Sequence, residues 1–142
     1  MIYVIAYDFG TSGVKACIFA IDKDIKMVAS AYSSYNLYLL ENGGAEQDTT
    51  EWWQALCFTT REMFTKTEVS PSQIAGISFC SQMQGLVLVD RKGNALRRPM
   101  NYMDQRGKKE FAACMGKGLI KVASCDAFKL MKNVRVNKAA SC

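Results

Sequence analysis

Met1-Ile-Tyr-Val-Ile-Ala-Tyr7, followed at once by Asp8-Phe-Gly10-Thr11-Ser12-Gly13-Val-Lys15, is the stretch that decides the fold. Its first seven residues are apolar and β-prone, and residues 2–8 read as a buried strand. The strand ends on an acid and turns through two glycines and two hydroxyls. Glycine lets the backbone approach an anion and adopt positive φ. Successive backbone N–H groups in such a turn form an anion-binding nest. Asp8 offers hard oxygen suited to Mg²⁺, commonly through water. Residues 14–21 read as a second strand, so the element is strand–turn–strand. A Gly-x-x-x-x-Gly-Lys-Ser/Thr phosphate loop requires a helix at that place and a different spacing. The same residue types also build ordinary hairpin turns, for conformational reasons alone. Asp8-Phe9-Gly10 spells the metal-binding triplet of protein kinases, but only seven residues precede it, too few for the glycine-rich and His-Arg-Asp loops that must come first.

Working outward, residues 25–34 read as a third strand. It is joined to the second by the polar turn Asp22-Lys23-Asp24, which makes three consecutive antiparallel strands. Glu41-Asn-Gly-Gly44 breaks the aromatic stretch that follows. Asp48 caps a helix, with Glu51 placed to complete a capping box. Trp52, Trp53, Leu56, Cys57, Met63 and Phe64 recur at helical spacing. Adjacent tryptophans line pockets in some proteins, but the spacing favours a core role for at least one. Ile74 to Phe79 is a short buried strand, and Leu86 to Val89 reads as strand again. Asp90-Arg-Lys-Gly93 is a hairpin turn with a left-handed glycine. Residues 107–136 read as weakly helical, interrupted by Gly107, Gly116 and Gly118. The order predicts an α/β domain with a mixed sheet, residues 1–106 forming sheet and first helix and 107–142 a basic helical end.

Composition narrows the function classes. The chain has 142 residues, about one domain, and 49% of them are hydrophobic, enough for a core. The opening apolar run is too short for a signal peptide or a membrane span, which makes a cytoplasmic protein without a membrane partner the default. Six cysteines at irregular spacing and no histidine argue against a zinc site and against Ser-His-Asp or Cys-His catalysis. The net charge of +5 is uneven: residues 1–105 hold nine Lys/Arg against eleven Asp/Glu, and residues 106–142 hold nine against two. Phe111 and Phe128 are the only rings in that basic end, which argues against a single-strand nucleic-acid binder. A solvated helix face is the preferred reading, with no nucleic-acid partner.

Gln82-Met83-Gln84-Gly85 interrupts two apolar segments. Amides in such a place are costly unless they find partners, and a glutamine both donates and accepts, which suits sugar hydroxyls. Asp104 and Arg106 repeat the theme. A loop that merely faces water is the alternative.

Taken together, the residues resemble the FGGY carbohydrate kinases, and among them the xylulokinase-like branch. The match lies in Asp8-Phe-Gly-Thr-Ser-Gly-Val-Lys15, in Ala45-Glu-Gln-Asp48 with Glu51-Trp52-Trp53, in Ile74–Phe79 through Gln82-Met-Gln-Gly-Leu-Val-Leu-Val-Asp90, and in Pro99-Met-Asn-Tyr-Met-Asp-Gln-Arg106. It continues faintly to Ser141. The resemblance implies a ribonuclease H-like, actin-like fold and transfer of the γ-phosphoryl of ATP, with Mg²⁺, to a ketose or polyol hydroxyl. It places Asp8 at the metal, Gly10, Thr11, Ser12 and Lys15 at the phosphates, and Gln82, Met83, Gln84, Asp104 and Arg106 at the sugar. Gln84 stands where many xylulokinases carry a histidine, so xylulose is not assumed. Family members are several times longer, which predicts an N-terminal portion whose partner is a missing C-terminal kinase domain carrying the general base, and little activity from this chain alone. A homodimer is also open. The rivals are an inactive binding or folding unit and another actin-fold ATPase.

Overall fold

A computed structural model describes residues 1–116 and the short strands at 121–122 and 125–126. It divides into two units, 1–104 and 105–142.

In the first unit, β1 (Ile2–Phe9), β2 (Gly13–Ile21), β3 (Ile25–Ser34) and β6 (Ile74–Ser81) form one sheet in the order β3-β2-β1-β6. The β1–β2 and β2–β3 pairs are antiparallel, and β1–β6 is parallel, so the sheet is mixed as expected. A strand pair β4 (Tyr38–Leu39) and β5 (Ala45–Glu46) follows β3 and leads into the helix α1 (Thr49–Thr65). Alternation decides which side chains go inward. Ile5 and Tyr7 of β1 face Ile18 and Ala16 of β2 in register, all buried. Ala29 and Ala31 of β3 continue that face. Helix α1 lays Ala55, Thr59 and Met63 on it, at the four-residue spacing of one helix face. The buried Thr59 hydroxyl donates to the Ala55 carbonyl (2.9 Å), which satisfies that group; the buried Trp52 Nε1 has no hydrogen-bond partner among the described residues. The Tyr7 and Thr60 hydroxyls bond at 2.7 Å, tying sheet to helix.

Asp48 caps α1, accepting the Thr50 amide at 2.8 Å. The capping box does not close: Glu51 turns to the Asn36 amide (2.8 Å) and the Tyr38 hydroxyl instead. Those bonds hold the Glu51 carboxyl below its usual range, the Tyr38 hydroxyl contributing most. Of the two tryptophans, Trp52 packs against the core and Trp53 is 66% exposed.

Three further expectations need correction. β6 forms where expected but is not buried: Ile77 is 58% and Phe79 62% exposed. Residues 86–89 form no strand. They make only single bridges, Leu86 with Met100 and Val89 with Ala95, around a turn in which Gly93 has φ +87°. Gln84, just before this segment, has φ 61°, and the four apolar side chains stay 41–53% exposed. In the second unit, helix α2 (Lys108–Gly116) is followed by the antiparallel pair β7 (Lys121–Val122) and β8 (Cys125–Asp126), so helix does not run unbroken over 107–136. The faint resemblance beyond residue 126 lies outside the described residues. Among the described residues no helix is long and apolar enough to cross a membrane.

Candidate functional site

β1 and β6 run parallel with Phe9 and Ser81 in register, so their carboxyl ends emerge side by side. Such ends are where ligands bind in open α/β sheets. The turn 10–12 leaves β1, and the glutamine loop 82–85 leaves β6. A 2.7 Å bond from the Gln82 amide to the Phe9 carbonyl ties the two together.

The turn is braced through its carbonyls. The Tyr35 hydroxyl donates to the Gly10 carbonyl (2.5 Å), the Gln47 amide Nε2 to Thr11 (2.7 Å), and the Tyr32 hydroxyl to Ser12 (3.1 Å). Inside the turn the Gly10 amide donates to the Gly13 carbonyl (2.9 Å). The amides of Thr11 and Ser12 are donors in none of these bonds. With these carbonyls engaged, the turn's remaining polar groups include the Thr11 and Ser12 amides and hydroxyls. Burial, then the nearby Tyr32 and Asp8, push the Tyr35 hydroxyl up to about 12. Any tyrosine donates at neutral pH; the shift extends that donation into the alkaline range.

The glycines serve a different end from the one the sequence suggests. Neither Gly10 nor Gly13 has positive φ. Gly13 is required by close approach: a Cβ there would lie 2.5 Å from the Ser33 carbonyl and 2.6 Å from the Tyr32 hydroxyl. At Gly10 the nearest atom would be 3.5 Å away, an ordinary contact.

Two adjoining cavities open at this end of the sheet. One, of about 350 Å³, is lined by Asp8, Gly10, Thr11, Ser81, Gln82, Met83, Gln84 and Tyr102. The other, of about 280 Å³, has an apolar wall of Phe9, Trp52, Val87, Pro99 and Met100 and a polar wall that includes Gln47, Gln82, Gln84 and Asn101. Ser81, Gln82 and Gln84 line both. Asp8 is exposed, and Lys15 lies opposite it in register on the same sheet face. No group of three or more His, Cys, Asp or Glu residues placed to hold a metal ion occurs among the described residues, and Asp8 is the carboxylate in the lining of the larger of these two cavities.

The structure thus gathers Asp8, Gly10, Thr11, Gln82, Met83 and Gln84 around one space, with Ser12 in the same turn and Lys15 beside Asp8. Asp104 lies outside both linings and accepts the Ala45 amide at 3.0 Å through Oδ2. Arg106 belongs to the second unit, half-buried ahead of α2. Sequence reasoning missed Tyr32, Tyr35, Gln47 and Asn101. Gln47 stands within a quoted stretch, but its reach to Thr11 is a tertiary contact across 36 residues that no spacing reveals.

Residues 3–123 match the profile of the FGGY family of carbohydrate kinases, N-terminal domain. A xylulose kinase of Staphylococcus epidermidis is 38% identical over 103 residues, 72% of this chain and 20% of that protein. A glycerol kinase of Trichormus variabilis is 32% identical over 105 residues, 73% of this chain and 21% of that protein. The crystal structure of gluconate kinase from Lactobacillus acidophilus superposes with a TM-score of 0.73 at 27% identity, covering 82% of this chain and 23% of that one. The chain spans about a fifth of the length of the curated relatives it matches. On the match over residues 3–123, the chain belongs to the FGGY family of carbohydrate kinases and carries its N-terminal domain.

Proposed function

We propose that this protein supplies the phosphate turn and one wall of the sugar site of an ATP-dependent carbohydrate kinase, on a ribonuclease H-like, actin-like fold. The observation that carries the proposal is the shared space: the turn after β1 and the glutamine loop after β6 line one cavity. Phosphoryl transfer needs little covalent chemistry from a protein. It needs two substrates aligned in one place and their charge neutralised.

The turn fits a phosphate. Its carbonyls are committed to Tyr35, Gln47 and Tyr32, so the groups it offers are the Thr11 and Ser12 amides and hydroxyls. An isolated exposed carboxylate beside such a turn suits magnesium, which keeps most of its waters and takes one or two carboxylates plus phosphate oxygens. Asp8 would hold the metal, which would supply charge neutralisation for the phosphate. Lys15 adds positive charge on the same sheet face. Gln84 and Met83 orient the sugar, and Asp104 is proposed as a further sugar contact. Trp52, Pro99, Met100 and Val87 offer an apolar wall to the carbon face of the ligand and exclude water. The general base and the adenine site are proposed to lie in sequence beyond this domain, so this chain alone turns over slowly or not at all.

The named relatives act on xylulose, glycerol and gluconate, which share a run of hydroxyls. A neutral glutamine pair suits such a ligand without choosing among the three. Trp52 lines the cleft and Trp53 faces solvent, so a Trp53→Phe chain reports on the cleft alone. Titration with xylulose, glycerol and gluconate is expected to change Trp52 fluorescence saturably with at least one of them. A flat response to all three would refute the sugar assignment.

A further inference from the structure

The amides behind the cleft form a chain with a direction. The Met103 backbone amide donates to Asn101 Oδ1 (3.0 Å). Asn101 Nδ2 donates to Gln82 Oε1 (2.6 Å). Gln82 Nε2 donates to Gln47 Oε1 (2.5 Å). Gln47 Nε2 donates to the Thr11 carbonyl (2.7 Å). Four bonds thus run one way from the segment after Met100 to the phosphate turn.

The ends fix the sense. A backbone N–H only donates, and a backbone carbonyl only accepts. Turning any one side-chain amide over would therefore break both of its bonds at once. Gln47 is 1% exposed and Asn101 5%, so a lost partner there leaves a nearly buried amide group unpaired unless something in the cleft replaces it. Chains of this kind polarise along their length, each bond strengthening the next. All three side chains also line the Trp52 cleft. Each amide nitrogen has a second N–H, and each amide oxygen a second lone pair, beyond what the chain uses.

We propose that Gln47 is a positioning residue that couples the sugar cleft to the phosphate turn through this amide chain. A hydroxylated ligand that engages Asn101 or Gln82 changes the polarisation and placement of Gln47. Gln47 passes that change to the Thr11 carbonyl, and so to the peptide that carries the Ser12 amide. The ligand half of this proposal rests on the sugar-kinase reading; the chain of bonds does not.

The test is nitrogen–proton NMR on the whole chain, with two arms. Without ligand, Asn101→Ala is expected to shift the Thr11 and Ser12 amide signals when Gln47 is present. The same replacement in a Gln47→Met chain should shift them by roughly a third or less, as a broken pairwise coupling requires. A merely structural Gln47 would lower stability without separating the two responses. Equal shifts in both backgrounds, or none in the first, would overturn the relay. Should Gln47→Met fail to fold, the side-chain amide signals of Gln47 itself serve: Asn101→Ala moves them if the relay exists and leaves them in place if it does not. In the second arm, xylulose, glycerol or gluconate at saturation is expected to shift Gln82, Asn101, Thr11 and Ser12 together. Shifts confined to Gln82 and Asn101 would overturn the coupling while leaving the sugar reading intact. No shift anywhere in the cleft would overturn the sugar reading, and with it the ligand-driven half of the proposal.

Discussion

The two glycines of the β1–β2 turn are alike in sequence and unlike in structure, and replacing each with alanine separates them. A Cβ at Gly13 would sit 2.5 Å from the Ser33 carbonyl oxygen, 2.6 Å from the Tyr32 hydroxyl and 2.7 Å from its ring. The carbonyl belongs to β3, whose backbone is held by the sheet, so β3 must shift or the turn must open. Forcing one extra methyl into a packed site costs about 1–3 kcal/mol. Displacing Tyr32 also loses its bond to the Ser12 carbonyl, a further ~0.5–1.5 kcal/mol. Gly13→Ala is therefore expected to destabilise the domain by about 2–4 kcal/mol, near 10 °C or more in Tm for a unit of this size. Gly10→Ala meets nothing nearer than 3.5 Å and has no positive φ to strain. It should be neutral, or stabilising by about 0.4–1 kcal/mol through loss of chain entropy in the unfolded state. Tyr32→Phe in the Gly13→Ala background removes the hydroxyl clash but leaves the carbonyl and the ring carbon, so it should restore only part of the loss. Urea unfolding followed by circular dichroism, with slopes compared, measures all three. Gly13→Ala within ~0.5 kcal/mol of the parent, or a larger loss for Gly10→Ala, would refute the reasoning.

On helix α1, Met63 is 0% exposed and Trp53 66% exposed. Met63→Ala should cost about 2–4 kcal/mol and Trp53→Ala within about 1 kcal/mol in the same urea experiment; reversal of that order would contradict the packing. Tyr35 titrates from its ordinary 10.0 up to about 12 in the folded chain. The folded state thus holds that proton longer than the unfolded one, so the group's contribution is complete below pH 10, falls from there, and is lost above about 12. The stability gap between the parent and Tyr35→Phe should narrow as pH rises through that window. A gap that stays constant up to the end of the alkaline range would show that Tyr35 titrates unshifted.

The opening strands were legible because each rests on local chemistry. β1, β2 and the turn at Asp22–Asp24 follow from alternation and turn residues alone, as does the Asp48 cap. The segment 86–89 was not legible, because four apolar residues in a row look like a strand unless the left-handed Gln84 ahead of them is known. Glu51 went astray for a similar reason: a capping box is a local option, and Asn36 and Tyr38 win over it from 15 and 13 residues away. At the candidate site, Asp8, Gly10, Thr11 and the glutamine loop were singled out because their residue types name their chemistry, and they line one cavity. The bracing of the turn by Tyr32, Tyr35 and Gln47 was hidden, since all three reach it across 20 or more residues. The purpose of Gly13 was hidden with them: it makes room for β3 and needs no unusual φ.

The account turns on Asp8 and the adjoining turn holding a metal-bound phosphate inside the space shared with the glutamine loop. Paramagnetic broadening by Mn²⁺·ATP tests this most directly. The predicted result is selective loss of the Gly10, Thr11, Ser12, Met83 and Gln84 amide signals, abolished by Asp8→Asn. Broadening that ignores Asp8→Asn, or that falls on Lys108 and Lys109 instead, would contradict it.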